Sequence, residues 1–468
     1  MRVTLWTEPT PKAALVARRQ RLSRALADVP ALIVAGRPRP RNYAANTYPF
    51  RAESHFLYLV GRQLDGAALL LDRGRATLFV EPPASDAALW HGEVPGFDAI
   101  RDDTGVDEVL PLDRLGDVVG ARWPEVATLP ANDEPTAAWQ SRSSGREVRA
   151  RSGAELTGQD ATLADAMIAL RLSHDEAALS QMRRAIEVTT LAHHAGARAL
   201  GPGVREAAVH AAIDATFVAH GMAPAYGSIV SVHGEVLHNE AHHGVARDGD
   251  LLLVDAGAET AEGWASDVTR VYPVSGRFSA TQRALYDVVL AANRAAIAKV
   301  APGVRYRDVH VEAGRTIVRG LCDLGILRGE IDGLVERGAY TVFFPHGVGH
   351  LLGLDVHDME DLGDRAGYAP GRARASRFGD AYLRLDRDLS PGMVVTIEPG
   401  FYQVPAILRD PTYTAAIERD LDRDALARFA DVRGIRLEDD VLVTASGAEI
   451  MTRAIPIDAA AIEAWMRG

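Results

Sequence analysis

The chain of 468 residues holds one cysteine, Cys322, so no intrachain disulfide can form. That fits a reducing compartment. Lysine occurs only at Lys12 and Lys299, and arginine supplies the other basic side chains, a bias read as codon usage rather than ligand recognition. Basic residues number 51 against 63 acidic ones, a net charge of −12, which gives no electrostatic case for nucleic acid or an anionic membrane. Long apolar runs are missing too. The longest uncharged stretch near membrane length, Ala215 to Gly234, carries two histidines, a proline and several glycines and cannot span a bilayer. At the start of the chain, Glu8 and Pro9 interrupt any signal-peptide core, so a cytoplasmic protein is expected. What remains, 47% hydrophobic and 24% charged residues, is the balance of a globular protein of two or three domains.

Residues 1–168 read as an α/β domain. A helical run from Pro11 to Leu26 precedes strand candidates Ala31–Ala35, Ala67–Asp72 and Ala76–Val80, the last two joined at Asp72-Arg73-Gly74. The texture changes near 165–172. Ser173-His174-Asp175-Glu176 has capping-box spacing, and a long helix is expected to Leu200, stopped by Gly201-Pro202-Gly203. Residues 169–468 carry an internal repeat: Pro202-Gly203-Val204-Arg205 with His210 recurs as Pro302-Gly303-Val304-Arg305 with His310. Ser279 and Gln282 predict a second capped helix. Two similar α+β halves are implied, with room for a site where their sheets meet. His210 and His310 read as helix-surface or packing residues.

Carboxylates sit where strand candidates are most apolar. Asp255 follows Leu-Leu-Leu-Val, and Asp267 lies on a second candidate over Ala265–Val274, with a hairpin between them. Glu398 ends Met393-Val-Val-Thr-Ile397, and Glu438 lies two residues past Arg436 on the candidate Gly434–Val441, so both point to one face. A buried carboxylate is costly unless paired or metal-bound; capping a turn is the alternative for the aspartates, and pairing with a surface arginine for the glutamates. His346, His350 and His357 fall within twelve residues, interleaved with glycines that permit close backbone approach. Four carboxylates with an imidazole suit divalent ions such as Mn²⁺, with Zn²⁺ and Co²⁺ alternatives. They can balance two such ions, which together polarise a carbonyl and activate water. The stretch His238-Asn-Glu240-Ala-His242 fails the zinc-protease helix motif, because its glutamate does not directly follow the first histidine.

The order Asp255, Asp267, His350, Glu398, Glu438 resembles the five-ligand set of the pita-bread metallopeptidases, which include methionine aminopeptidase, aminopeptidase P and prolidase. The segment Tyr48-Pro-Phe-Arg-Ala-Glu-Ser-His-Phe-Leu-Tyr-Leu-Val-Gly61 is similar to the N-terminal domain of aminopeptidase P, which methionine aminopeptidase lacks. His350-Leu-Leu-Gly-Leu-Asp-Val-His357-Asp358 and Arg436 are typical of the proline-specific branch. The resemblance implies an α+β fold: a pita-bread catalytic domain with a pseudo-twofold repeat over 169–468, behind an aminopeptidase P type α/β domain over 1–168.

It further implies an exopeptidase that hydrolyses the Xaa-Pro bond at a peptide N-terminus and uses two divalent ions. Mn²⁺ is the first choice, with Zn²⁺, Co²⁺ or Mg²⁺ as alternatives. By position, Asp255 chelates one ion, Asp267 and Glu438 bridge both, and His350 and Glu398 bind the other, with Glu398 also taking a proton from water. His238, His346 and His357 bind substrate or the tetrahedral intermediate, and Arg436 positions His357 or the proline side. Trp90 resembles a tryptophan that reaches a neighbouring subunit's site, implying a homodimer or homotetramer; a core or surface aromatic is the alternative. Asn239 stands where the family often has tyrosine, and inserts occupy 364–387 and 404–432, the later one more like prolidase. An Xaa-Pro dipeptidase is therefore the runner-up, and a non-catalytic peptide-binding relative the rival from another class. No nucleic-acid or membrane partner is expected.

Overall fold

The computed structural model describes residues 9–84 and 86–467, together with the backbone but not the side chain of His91. The N-terminal residues read for a leader lie outside the described residues. Two compact units are present. One runs to Leu179 and includes Met359–Ala366; the other holds Ser180–Asp358 and continues from Gly367.

The first unit is built on a five-stranded sheet of β1 (Ala31–Val34), β2 (Ala68–Asp72), β3 (Arg75–Val80), β4 (Glu108–Pro111) and β5 (Ala127–Thr128), in the order β4-β3-β2-β1-β5. The expected β2–β3 hairpin forms: Asp72 pairs with Arg75, and the two intervening residues, Arg73 and Gly74, both take positive φ. The helix Lys12–Leu26 buries Leu15, Leu22 and Leu26. It also buries Arg18, whose Nε and Nη2 donate to Asp175 at 2.8 Å each.

One expectation is corrected at the helix Glu176–Ala199. Asp175 is its cap, accepting from the Ala178 N–H at 2.9 Å, rather than Ser173. Both residues have suitable oxygens, and the helix begins later than the Ser-x-x-Glu spacing suggests.

The second unit contains short strands β6 (Ala223–Pro224), β7 (Ile229–Ser231), β8 (Leu251–Asp255), β9 (Ala258–Glu259), β10 (Thr269–Pro273), β11 (Val394–Ile397), β12 (Gly400–Tyr402), β13 (Gly434–Arg436), β14 (Asp439–Thr444) and β15 (Gly447–Ile450). They form sheets ordered β10-β8-β7 and β11-β14-β15, with two-stranded pairs β12-β13 and β6-β9. The helices Glu206–Ala219 and Tyr306–Asp323 begin the two repeats after Arg205 and Arg305.

The repeat is exact in its hydrogen bonds. Gly203 N–H donates to Ala246 O and Gly303 N–H to Leu389 O, both at 2.8 Å; Ala246 N–H returns to Val204 O and Leu389 N–H to Val304 O, again at 2.8 Å. Ser279 and Gln282 make the expected capping box on the helix Ala280–Lys299. The first half's core joins Val188, Ala192, Val209, Ile213 and Phe217 from helices to Leu252 and Val254 of β8. The halves meet where Glu438 N–H donates to Thr269 O at 3.1 Å. His210 is half-buried on its helix, and His310 is 1% exposed, packed on Tyr340 and Phe344.

Candidate metal centre and active site

A strand adjoins each carboxylate, but the carboxylates lie at the strands' ends or in their breaks. Asp255 is the last residue of β8, opposite Thr269. Asp267 lies two residues before β10, Glu398 just past β11, and Glu438 in the gap between β13 and β14. Of the four expected on strands, only Asp255 lies within one, and the placement of Asp267, Glu398 and Glu438 is corrected. At a strand end the backbone leaves its ladder, and side chains from separate segments can converge.

They converge on a cavity of about 520 Å³. Asp255, Asp267, His350, Glu398 and Glu438 all line it, as do His238, His346, His357 and Arg436. Asp267, His350 and Glu438 each present a ligand atom within 4.8 Å of the others. His350 Nε2 lies 3.3 Å from Asp267 Oδ2 and 3.6 Å from Glu398 Oε1. Trp90 is not brought to this cavity. It sits in the first unit, 70% exposed, with its Nε1–H donated to Asp86 at 3.1 Å.

The histidine segment is held by close backbone approach. Gly349 has φ +152°, and a Cβ there would stand 2.2 Å from Thr396 O, so this position accepts no side chain. The adjacent His350 places Nδ1 2.9 Å from Leu351 O. A proton on Nδ1 satisfies that carbonyl and leaves Nε2, the nitrogen facing the carboxylates, as a lone-pair donor. In the same way His346 sets Nδ1 2.8 Å from Gly347 O and Nε2 2.9 Å from the Tyr402 hydroxyl. The His350 and His357 rings meet edge to face, 4.3 Å between centroids. Burial pushes the His357 imidazole down to about 2, with His350 and Arg384 adding to the effect. His346 is held well below its usual range by burial and Arg436. Both rings are neutral at neutral pH and able to donate or accept a hydrogen bond.

Arg436 bonds directly to this carboxylate cluster, and Arg384 also lines the cavity. Arg436, 4% exposed, donates through Nη2 to Asp255 Oδ2, through Nη1 to Tyr402 at 3.1 Å, and through Nε to Thr269 at 3.0 Å. Two guanidiniums cannot neutralise four carboxylates. Burial and then Asp255 raise the Asp267 carboxyl well above its usual range. Burial, Asp267 and Glu398 do the same to Glu438. Glu398 is pushed up to about 7, chiefly by burial, with His350 and Arg436 opposing and the aspartates adding. Such a concentration of like charge is stable when cations occupy it. Oxygen donors with one imidazole fit hard or borderline divalent ions.

Several side chains that complete the site were not apparent from spacing. The half-buried Tyr226 brings its hydroxyl to 2.6 Å from Asp255 Oδ1 and 2.5 Å from Asp267 Oδ1. Thr269 donates to Glu438 Oε2 at 2.6 Å. Asn293, on the helix Ala280–Lys299, donates to Ile397 O and Leu437 O at 3.2 Å, each the residue before a site glutamate. Arg270 pairs with Asp439 at 2.8 Å and donates to Glu438 O. Asn293 is a polar residue inside an apolar helical pattern, the one cue the sequence offered. Asn239, the departure noted above, turns its amide to Ser231 Oγ at 2.9 Å. Tyr382 and Arg384, from the first insert, line the cavity.

Comparison with known proteins agrees with this geometry. Residues 180–445 match metallopeptidase family M24, and residues 15–127 match the aminopeptidase P N-terminal domain. A human Xaa-Pro dipeptidase is 32% identical over 99% of this chain and 95% of its own length. An Escherichia coli Xaa-Pro aminopeptidase is 32% identical over 96% of both. Among solved structures, Pseudomonas aeruginosa aminopeptidase PepP superposes with a TM-score of 0.78 at 30% identity, covering 98% of this chain and 99% of that one. The fold is thus α+β, a pita-bread catalytic domain preceded by an aminopeptidase P type α/β domain. With the carboxylates and histidines of the cavity inside the matched region and nearly the whole chain aligned to these relatives, the chain belongs to metallopeptidase family M24.

Proposed function

We propose that the protein is a dinuclear metal-dependent exopeptidase that hydrolyses the Xaa-Pro bond at a free peptide N-terminus, an Xaa-Pro aminopeptidase. The observation that carries this reading is the convergence of Asp255, Asp267, His350, Glu398 and Glu438 on one cavity beside three further histidines. In this reading Asp255, Asp267, His350, Glu398 and Glu438 would hold the two ions. Mn²⁺ is the first choice, with Zn²⁺, Co²⁺ or Mg²⁺ alternatives. The bound ions supply Lewis-acid polarisation of the scissile carbonyl and a lowered pKa for the attacking water.

The residues do the rest. An Xaa-Pro amide has no N–H, so a site that grips the carbonyl loses nothing at proline. Glu398, inside the cavity beside His350, accepts a proton from water and returns it to the leaving nitrogen. His357, neutral, donates to the developing oxyanion, and His346, held between Gly347 O and the Tyr402 hydroxyl, lines the substrate side of the cavity. His238 lines the cavity as a substrate contact, and Arg436 holds Asp255 and Tyr402 in place. The functional division follows 1–168 and 169–468. The enzyme acts in the cytoplasm as a homodimer or homotetramer in which Trp90 reaches a neighbouring subunit; a strict monomer by light scattering excludes that role. Among the described residues no helix is long and apolar enough to cross a membrane.

A second reading, Xaa-Pro dipeptidase, is favoured by Arg384, which lines the same cavity; an arginine there suits the free carboxylate of a C-terminal proline. Hydrolysis of Gly-Pro beside Xaa-Pro-Yaa peptides of increasing length, with Mn²⁺ supplied, separates the two. Preference for longer peptides supports the aminopeptidase, and strong preference for Gly-Pro supports the dipeptidase. No turnover of either, with metal loaded, favours a non-catalytic peptide-binding protein.

A further inference from the structure

The two inserts that spacing left unexplained touch each other beside the cavity. Tyr382 lines the cavity yet is 56% exposed, so it stands at the mouth. Its ring meets Phe378 edge to face at 6.0 Å, and Phe378 in turn meets Tyr413 of the second insert at 4.4 Å. Phe378 and Tyr413 are each half-buried. An exposed tyrosine alone needs no explanation. A run of three aromatic rings that begins with one lining the cavity is a different matter.

The turn carrying these rings is held rigid. Asp380, 5% exposed, accepts from the Tyr340 hydroxyl at 2.7 Å and Arg377 Nε at 2.7 Å, and faces His310 Nε2 at 3.3 Å. Between Phe378 and Asp380, Gly379 has φ +82°, and a Cβ there would stand 2.6 Å from Thr341 Cβ. Were these rings only mutual packing, Tyr382 would be covered. Instead a buried carboxylate and an obligatory glycine fix it at the solvent boundary.

We propose that Tyr382, Phe378 and Tyr413 form an extended substrate subsite that favours aromatic or large apolar residues following the proline. The inference rests on the Xaa-Pro reading and deepens it. With the N-terminal residue and the scissile bond at the carboxylate cluster, residues beyond proline leave by the mouth where Tyr382 stands. The ring-to-ring steps span about 10 Å at most, the length of roughly three extended residues, so contact is expected at the first two or three positions after proline. Rings stack on aromatic side chains offset or edge to face.

The test compares kcat/KM for Ala-Pro-Gly-Gly, Ala-Pro-Phe-Gly and Ala-Pro-Gly-Phe on the full-length metal-loaded protein. At least one phenylalanine peptide should be favoured over the glycine peptide about three- to ten-fold, carried by KM rather than kcat. In Tyr382→Ala and in Tyr413→Ala that ratio should fall towards one. Tyr382→Phe, which keeps the ring, should retain it. Turnover of all three peptides with a ratio near one, or a ratio unchanged in both alanine variants, overturns the subsite and leaves the peptidase reading standing. No turnover of any Xaa-Pro peptide overturns both.

Discussion

The Tyr226 hydroxyl stands 2.6 Å from Asp255, at the end of β8, and 2.5 Å from Asp267, before β10. A hydroxyl carries one proton and donates to one of these oxygens at a time, so it fixes the spacing of the pair without neutralising it. Groups that orient metal ligands typically change metal affinity ten- to a hundred-fold when removed. Tyr226→Phe should keep the fold and weaken metal affinity by about that factor, read by competition with a chelator. Unchanged affinity would make Tyr226 a packing residue.

Glu398 is assigned two roles, metal ligand and proton acceptor. Glu398→Ala should abolish turnover and lower metal content together, the second measured by elemental analysis after reconstitution. Full activity in this variant rules out the double role. Chelation of the native protein should have the same effect on turnover, and restored Mn²⁺ should reverse it.

Much of this site was legible because its residues are anomalous where they stand. A carboxylate after Leu-Leu-Leu-Val or Val-Val-Thr-Ile contradicts the apolar pattern around it, and that contradiction marked Asp255 and Glu398. The repeated Pro-Gly-Val-Arg was legible because each copy makes the same turn and the same hydrogen bonds. Tyr226, Thr269 and Arg270 were not legible. A tyrosine near glycines, or a threonine at a strand start, has an ordinary local explanation, and its role appears only when a distant carboxylate is placed beside it. Strand ends were misjudged for a related reason: periodicity reports which residues are apolar, not where a ladder stops. The helix cap moved from Ser173 to Asp175 because adjacent residues offered equivalent oxygens.

His357 sits edge to face with His350 and is neutral through burial. His357→Ala removes a hydrogen-bond donor to the intermediate but no assigned ligand. The expected result is a fall in kcat of about 10²-fold or more, with metal content near that of the native protein. Loss of both metals in this variant would make His357 structural instead.

Arg384 divides the two substrate readings. A charge-assisted hydrogen bond to a carboxylate is worth about 1.5–3 kcal/mol, so Arg384→Ala should raise KM for Gly-Pro by roughly ten-fold or more. For an Xaa-Pro-Yaa-Zaa peptide, whose carboxylate lies further out, the effect should be much smaller. Equal losses on both substrates would show that Arg384 organises the cavity rather than reading a terminus.

The turn that carries Tyr382 should also leave a mark on acid stability. Burial alone would raise the Asp380 carboxyl, but hydrogen bonds with His310 and Tyr340 and the charge of Arg377 outweigh it and hold the group at about 2. The unfolded chain's aspartate titrates near 3.9. A folded-state pKa below the unfolded one means the unfolded chain binds the proton first on acidification. The ionised carboxylate therefore contributes stability that is fully present above about pH 4 and is lost as pH falls towards 2. Asp380→Asn cannot titrate, so the gap in urea midpoint between native protein and variant should be constant from pH 7 to about 5 and shrink between about 4 and 2. A gap of the same size at pH 2.5 as at pH 7 would remove Asp380's ionisation from the account of what holds this turn, leaving only its shape and its neutral hydrogen bonds.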